Sequence, residues 1–105
     1  MESITPTELK QRLDNGEPLV LLDVRENWEY ETCHIEGSAL MPMSQVMSQI
    51  GSLDKEAETV FICHHGSRSQ QVAQFLESQG FKHVYNLEGG VDEWAQTVDP
   101  NMPRY

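Results

Sequence analysis

The segment Thr59–Ser69 constrains the fold most, because a strand-like run leads through a cysteine and a short loop into a helix-like pattern. The run Thr59–Ile62 is β-branched and aromatic, whereas the residues after Arg68 place apolar side chains at helical spacing. Gly66 lies between the two patterns and permits a tight loop. The sequence therefore predicts that Cys63 lies at the carboxyl end of a strand and at the beginning of a helix.

This position suits a reactive thiolate. A helix N-terminus offers unpaired N–H groups and a partial positive charge, and both stabilise a negatively charged sulfur. A tight bend at Gly66 would add an anion-binding nest, Arg68 a permanent charge, and Ser67 and Ser69 hydroxyl donors, although either serine would also serve as a helix cap. We interpret Cys63 as a nucleophile, against the alternative of a buried cysteine that acts only as a small apolar side chain.

The rest of the chain alternates between helix and strand patterns. Alternation of this kind predicts an α/β domain with a mostly parallel sheet, in which sites form beyond the carboxyl ends of the strands. Cys63 and the segment Asp23–Arg25 both occupy such positions. The predicted strands are 19–22, a short one within 34–42, 59–62 and 83–87. Five helices are predicted. The first begins with a capping box at Thr5, Pro6 and Glu8, the second is a short helix over 28–33, and the third is capped by Ser44. The fourth has an apolar face of Val72, Ala73, Phe75 and Leu76 and ends at Gly80, and the fifth contains Val91, Trp94, Ala95 and Val98.

Composition narrows the range of partners. The 105 residues suit one domain, 1–105, and include seventeen acidic and seven basic residues for a net charge of −10. Nucleic acids and anionic membranes attract basic surfaces, so neither is expected as a partner. Apolar runs such as Leu19–Leu22 are far shorter than the about 20 residues of a membrane span, and the first residues lack a signal-peptide pattern. With two cysteines and no disulfide framework, we expect a cytoplasmic protein.

Three stretches together resemble the rhodanese family. They are Cys63-x-x-Gly66-x-Arg68, then Asp23-Val24-Arg25-Glu26 with Glu29-Tyr30 and His34-Ile35-x-Gly37, and finally Leu87-Glu88-Gly89-Gly90-Val91-x-x-Trp94. The resemblance covers essentially the whole chain. It implies a five-stranded parallel sheet flanked by helices on both faces, with Cys63 in the loop after the fourth strand. It also implies transfer of sulfane sulfur from thiosulfate or a persulfide donor to a thiol or cyanide acceptor through a Cys63 persulfide.

The candidate site then contains Cys63 as the nucleophile and a set of substrate-binding positions around it: His64, His65, Gly66, Ser67, Arg68 and Ser69. Asp23 and Arg25 are interpreted as a supporting ion pair rather than as pocket residues. His64 and His65 are interpreted as solvent-facing side chains rather than proton carriers, and Trp28 and Trp94 as core. Cys33 and Ser38 depart from the glycine and alanine that are common at these places in rhodaneses, and we expect only packing effects from them.

Three other functions would use some of the same residues. Cysteine-dependent phosphatases separate cysteine and arginine by five residues, whereas here the spacing is Cys-x4-Arg, which suits a sulfur atom better than a phosphate group. A metal site of Cys33, His34, Cys63, His64 and His65 lacks the usual ligand spacing, so neither a metal nor another cofactor is expected. A persulfide carrier that passes sulfur between relay proteins, without turnover of its own, remains open because it would use the same cysteine.

Overall fold

In the computed structural model, which describes residues 1–105, five parallel strands form one sheet. The strands are β1 (Glu2–Ile4), β2 (Val20–Asp23), β3 (Ala39–Leu40), β4 (Thr59–Ile62) and β5 (Val84–Leu87), and they lie in the order β1–β5–β4–β2–β3. The helices are α1 (Pro6–Asp14), α2 (Asn27–Thr32), α3 (Val46–Gln49), α4 (Ser67–Ser78) and α5 (Gly90–Thr97), with 3₁₀ turns at Met43–Gln45 and Ile50–Ser52. None of these helices combines the length and apolar composition that crossing a bilayer requires.

The sheet separates two apolar clusters, as the alternation of side chains along each strand requires. In β4, Val60 and Ile62 belong to one cluster and Phe61 to the other, and all three are buried. The first cluster contains residues of α1 and α5, and the second contains residues of α3 and α4. The predicted α/β fold, a parallel five-stranded sheet with helices on both faces, is confirmed.

The predicted helix ends are also present. Thr5 accepts a hydrogen bond from the Glu8 N–H at 3.2 Å, and the Glu8 carboxylate accepts one from the Thr5 N–H at 3.0 Å. At the end of α4, Gly80 has a φ of 95°, and the Phe81 N–H donates to the Leu76 carbonyl at 3.1 Å. This is the Schellman arrangement that a glycine after the last turn favours.

Two predictions of local structure were incomplete or wrong. Strand β1 was not located from the sequence, because it has three residues of which Glu2 and Ser3 are exposed, and only Ile4 is buried. Ser44 does not cap a helix. It lies within a 3₁₀ turn, and α3 begins after Gln45 without a side-chain cap.

Trp28 was wrongly predicted to be buried. It is 60% exposed, whereas Trp94 lies in the core as predicted. Phe75, on the predicted apolar face of α4, is 37% exposed. Helix α2 has only six residues, and it buries Glu29 rather than Trp28 against the rest of the protein. Helical spacing alone therefore did not identify the buried face of a helix this short.

Candidate active site

Cys63 directly follows β4, and α4 begins four residues later at Ser67. The residue is 1% exposed, so its sulfur lies beneath the protein surface. The Gly66 N–H donates to Sγ at 3.0 Å, and the Ser69 hydroxyl oxygen lies 3.3 Å from Sγ. The sulfur therefore accepts one backbone hydrogen bond and has a buried hydroxyl within hydrogen-bond distance.

The N-terminus of α5 hydrogen-bonds to the loop between β4 and α4, residues 63–66. The Val91 N–H donates to the Cys63 carbonyl at 2.9 Å, and the Asp92 N–H donates to the His64 carbonyl at 3.1 Å. Gly90 makes this approach possible, because its φ is 58° and a Cβ atom there would lie 2.2 Å from the Cys63 carbonyl oxygen. The N-terminus of α5 thus fixes the orientation of the two peptide groups that follow the sulfur.

The other peptide groups of this region have free donors. The N–H groups of His64, His65, Ser67, Arg68 and Ser69 make no hydrogen bond within the protein. They belong to the loop and to the first turn of α4, where helix geometry leaves N–H groups without a partner. Together with the positive φ of Gly66 at 104°, they form the kind of concave N–H cluster that binds anions.

Ser69 supports the sulfur from the interior. It is fully buried, and its hydroxyl lies within hydrogen-bond distance of Asn86 Oδ1 as well as of Cys63 Sγ. Asn86 in turn donates from Nδ2 to the Gly66 carbonyl at 3.1 Å. The sequence analysis predicted Ser69 as a substrate contact and did not identify Asn86. A single amide side chain next to Leu87 in the buried strand β5 could have indicated a polar contact there.

Arg68 is paired, whereas the sequence suggested a free positive charge. Its two terminal nitrogens donate to the two carboxylate oxygens of Glu29 at 2.7 and 2.9 Å. The hydrogen bonds from Arg68 lower the pKa of Glu29 to about 2, despite the opposing effect of burial. Glu29 was quoted only as part of a motif, and its pairing with Arg68 spans elements that are 39 residues apart in the chain.

Asp23 and Arg25 form the predicted ion pair beneath α2. Arg25 Nε and Nη2 donate to the Asp23 carboxylate at 2.8 and 2.7 Å, and both side chains are fully buried. The remaining donors of Arg25 reach the carbonyls of Glu29 at 3.2 Å and Cys33 at 2.7 Å. The pair therefore fixes the two ends of the segment that carries Glu29.

The two histidines differ in environment. The side chain of His65 is 65% exposed, in agreement with the solvent-facing prediction. His64 was wrongly grouped with it, because its ring stacks between His65 and Tyr105 at centroid distances of 4.0 and 3.9 Å. Its Nε2 atom is buried without a hydrogen-bond partner, and burial lowers the pKa of the His64 imidazole.

Tyr105 is the residue near the site that the sequence did not assign. Its hydroxyl donates to Glu29 Oε2 at 2.7 Å and accepts from Arg25 Nη1 at 2.8 Å. Two surface cavities lie elsewhere on the molecule, and neither is lined by any residue of 63–69. The sulfur of Cys63 is therefore enclosed in this structure, with Tyr105 among the side chains on the outer side of the site.

Comparison with known proteins adds the family. The model of the rhodanese-like domain matches residues 5–97. The thiosulfate sulfurtransferase GlpE of Pseudomonas paraeruginosa is 36% identical, and the match covers 89% of this chain and 83% of GlpE. YrkF of Bacillus subtilis, which is named as a candidate sulfur carrier protein, is 41% identical over 82% of this chain and 46% of YrkF. The chain likewise spans less than half the length of several other curated relatives that it matches.

Among solved structures, a rhodanese-like domain protein from Staphylococcus aureus superimposes with a TM-score of 0.86. Its sequence is 31% identical, and the match covers 100% of this chain and 99% of that protein. The arrangement of strands and helices is therefore shared over the whole length of both chains.

Proposed function

Because the chain belongs to the family of rhodanese-like domains, we propose that it is a sulfurtransferase in which Cys63 carries sulfane sulfur as a persulfide. The donor is a small anion such as thiosulfate, or a persulfide, and the acceptor is a thiol or cyanide. The observation that carries the proposal is the position of Cys63 Sγ, which lies against the Gly66 N–H and the Ser69 hydroxyl beside five unpaired N–H groups.

The proposed reaction has two displacements at sulfur. In the first, the Cys63 thiolate attacks the outer sulfur of thiosulfate, the sulfur–sulfur bond breaks, and sulfite leaves with the electron pair. In the second, cyanide or an acceptor thiolate attacks the outer sulfur of the resulting persulfide, and the Cys63 thiolate leaves. The products are thiocyanate or an acceptor persulfide, and neither step needs an external oxidant or reductant.

The chain's own groups have distinct parts in this scheme. The unpaired N–H groups of the loop and the first turn of α4 hold the negative charge of the persulfide. Arg68 has five N–H donors, of which Glu29 receives two, so the remaining donors are available to an anionic donor or to departing sulfite. His65 and Ser67 are exposed on the loop, and the His64 ring stacks under Tyr105. Asp23 and Arg25 act through the backbone of 29–33 and through the hydroxyl of Tyr105.

A carrier without turnover is the second candidate. It is favoured by the naming of YrkF as a candidate sulfur carrier and by the 1% exposure of Cys63, since a docking protein would have to open the site. In that case sulfur passes between Cys63 and relay proteins, and small acceptors are poor substrates. Both cysteines are free thiols, and a reducing cytoplasm would keep Cys63 in the form that either reaction needs.

The test combines turnover with intact mass. Thiosulfate and cyanide are supplied to the wild-type protein and to Cys63→Ser, thiocyanate is followed, and the mass is recorded after thiosulfate alone. Turnover with a gain of one sulfur on the wild type only is the expected result. Sulfur loading without turnover identifies the carrier instead, and absence of both removes the proposed function.

A further inference from the structure

The hydroxyl of Tyr105 joins two charged groups that the sulfur site depends on. It accepts from Arg25, which is fixed by Asp23, and it donates to the same Glu29 carboxylate that holds Arg68. Glu29 Oε2 therefore receives donors from both Tyr105 and Arg68. The orientation of Arg68 beside the cysteine loop consequently depends on a hydroxyl located 37 residues further along the chain.

The ring of Tyr105 contacts the loop itself. It stacks on the imidazole of His64 with an interplanar angle of 10°, and the edge of Trp28 packs against it at a centroid distance of 5.6 Å. His64 directly follows Cys63, and its Nε2 atom is buried although no partner satisfies it. The backbone of His64 is fixed by the Asp92 N–H, so the stack contributes the position of the ring, whose Nε2 atom has no hydrogen-bond partner.

Little else holds Tyr105 in place. Residues 103–105 lie outside helices and strands. Pro103 has no N–H group, and the N–H groups of Arg104 and Tyr105 make no backbone hydrogen bond. Arg104 pairs with Asp92 at 2.9 Å, but its side chain is 56% exposed, and exposed ion pairs stabilise little. The position of Tyr105 is thus determined mainly by its own contacts with Arg25, Glu29 and His64.

Building on the proposed sulfur transfer, we propose that Tyr105 is a positioning residue of this site. Its hydroxyl orients the Glu29–Arg68 pair toward the anionic donor, and its ring holds His64 and limits access to Cys63. The two contributions separate by substitution, because phenylalanine keeps the ring and removes the hydroxyl, whereas alanine removes both.

The kinetic test measures KM for thiosulfate and kcat at saturating cyanide. We expect Tyr105→Phe to raise KM about three- to tenfold, the range that corresponds to one net hydrogen bond, and to leave kcat near its wild-type value. Tyr105→Ala is expected to raise KM further. A change in the amount of folded protein would lower the apparent kcat instead, so the split between KM and kcat separates positioning from general damage.

The accessibility test does not depend on sulfur transfer. Iodoacetamide labelling of Cys63 is followed by peptide mass, and trypsin separates the Cys63 and Cys33 peptides because it cleaves after Lys55 and Arg68. We expect Tyr105→Phe to label at the wild-type rate and Tyr105→Ala to label at least about threefold faster, because only the second variant frees His64 to move.

The chain offers a matched control in Tyr85. Its hydroxyl donates to Glu58 at 2.9 Å, and Glu58 pairs with Arg12, so the same three residue types meet away from the cysteine loop. Tyr85→Phe and Tyr85→Ala should lower stability without changing KM for thiosulfate or the labelling rate of Cys63.

The outcomes are distinct. Wild-type KM and labelling rates in both Tyr105 variants would overturn the proposal, and so would changes of the same size in the Tyr85 variants. If the wild-type protein neither loads nor turns over thiosulfate, the proposed function fails and labelling decides alone. Faster labelling in Tyr105→Ala then supports the positioning role, and an unchanged rate excludes it.

Discussion

Replacement of Glu29 by glutamine should cost stability in a pH-dependent way. The side chain of Glu29 is 5% exposed, and its hydrogen bonds from Arg68 lower its pKa from 4.5 to about 2. At 1.36 kcal/mol for each pH unit, the difference corresponds to about 3 kcal/mol of folding free energy at neutral pH. This is an upper value, since glutamine retains the size of the side chain and an acceptor oxygen for Arg68.

The sign follows from the direction of the shift. A carboxylate whose pKa is lower in the folded state contributes its full stabilisation above about pH 4.5 and loses it as the pH falls toward about 2. Urea unfolding of the wild-type protein and Glu29→Gln, compared at several pH values between 7 and 2, measures the contribution. The gap between the two unfolding free energies should be largest at pH 7 and should close at the acid end.

A suitable control is Glu58→Gln. Glu58 also accepts hydrogen bonds from an arginine and a tyrosine, but its side chain is 35% exposed, so the effect should be much smaller. A gap between wild type and Glu29→Gln that stays constant across the pH range would refute the assignment of the stabilisation to the ionised Glu29 carboxylate.

Three further predictions concern the cysteine loop and its neighbours. Gly90→Ala should lower the free energy of unfolding by about 3 kcal/mol and abolish sulfur transfer, because its Cβ would collide with the Cys63 carbonyl. Gly16→Ala is the control: Gly16 has a φ of 75° but open space around it, so the free energy of unfolding, measured by thermal unfolding, should fall by only about 1 kcal/mol. Ser69→Ala should slow alkylation of Cys63 and cost about 1–2 kcal/mol, because the buried hydroxyl that contacts both Sγ and Asn86 Oδ1 is lost and its single proton can no longer be donated to either. Equal alkylation rates in the two proteins would exclude this role. Arg68→Ala should raise KM for thiosulfate, because the negative charge of Glu29 is left unpaired beside the site. Adding Glu29→Gln removes that charge and should lower KM part of the way back. A double variant whose KM is no lower than that of Arg68→Ala would contradict this explanation.

The sequence was sufficient for the features that local patterns determine. The run Thr59–Ile62 followed by Cys63 and Gly66 indicated a strand, a loop and a helix, and the structure contains them in that order. The Asp23–Arg25 pair was also accessible, because the two residues lie at the end of one strand and only two positions apart.

Contacts between distant elements were not accessible in this way. The pairing of Arg68 with Glu29 depends on how α2 lies against α4, and no spacing along the chain specifies that. Tyr105 reaches Glu29 across 76 positions from a segment without helical or strand pattern, so its sequence context contained no signal. Trp28 was misplaced for a related reason, since the tertiary contacts of Glu29 determine which face of α2 is buried.

The burial of Cys63 has a consequence for how long a bound sulfur would survive. At 1% exposure, an outer sulfur on Cys63 would lie among peptide N–H groups rather than in bulk water. Small reductants in the surrounding solution would therefore reach this sulfur rarely, and the protein would retain the bound sulfur until an acceptor enters the site. Transfer of the sulfur would then depend on how readily an acceptor can enter the site as well as on its concentration outside.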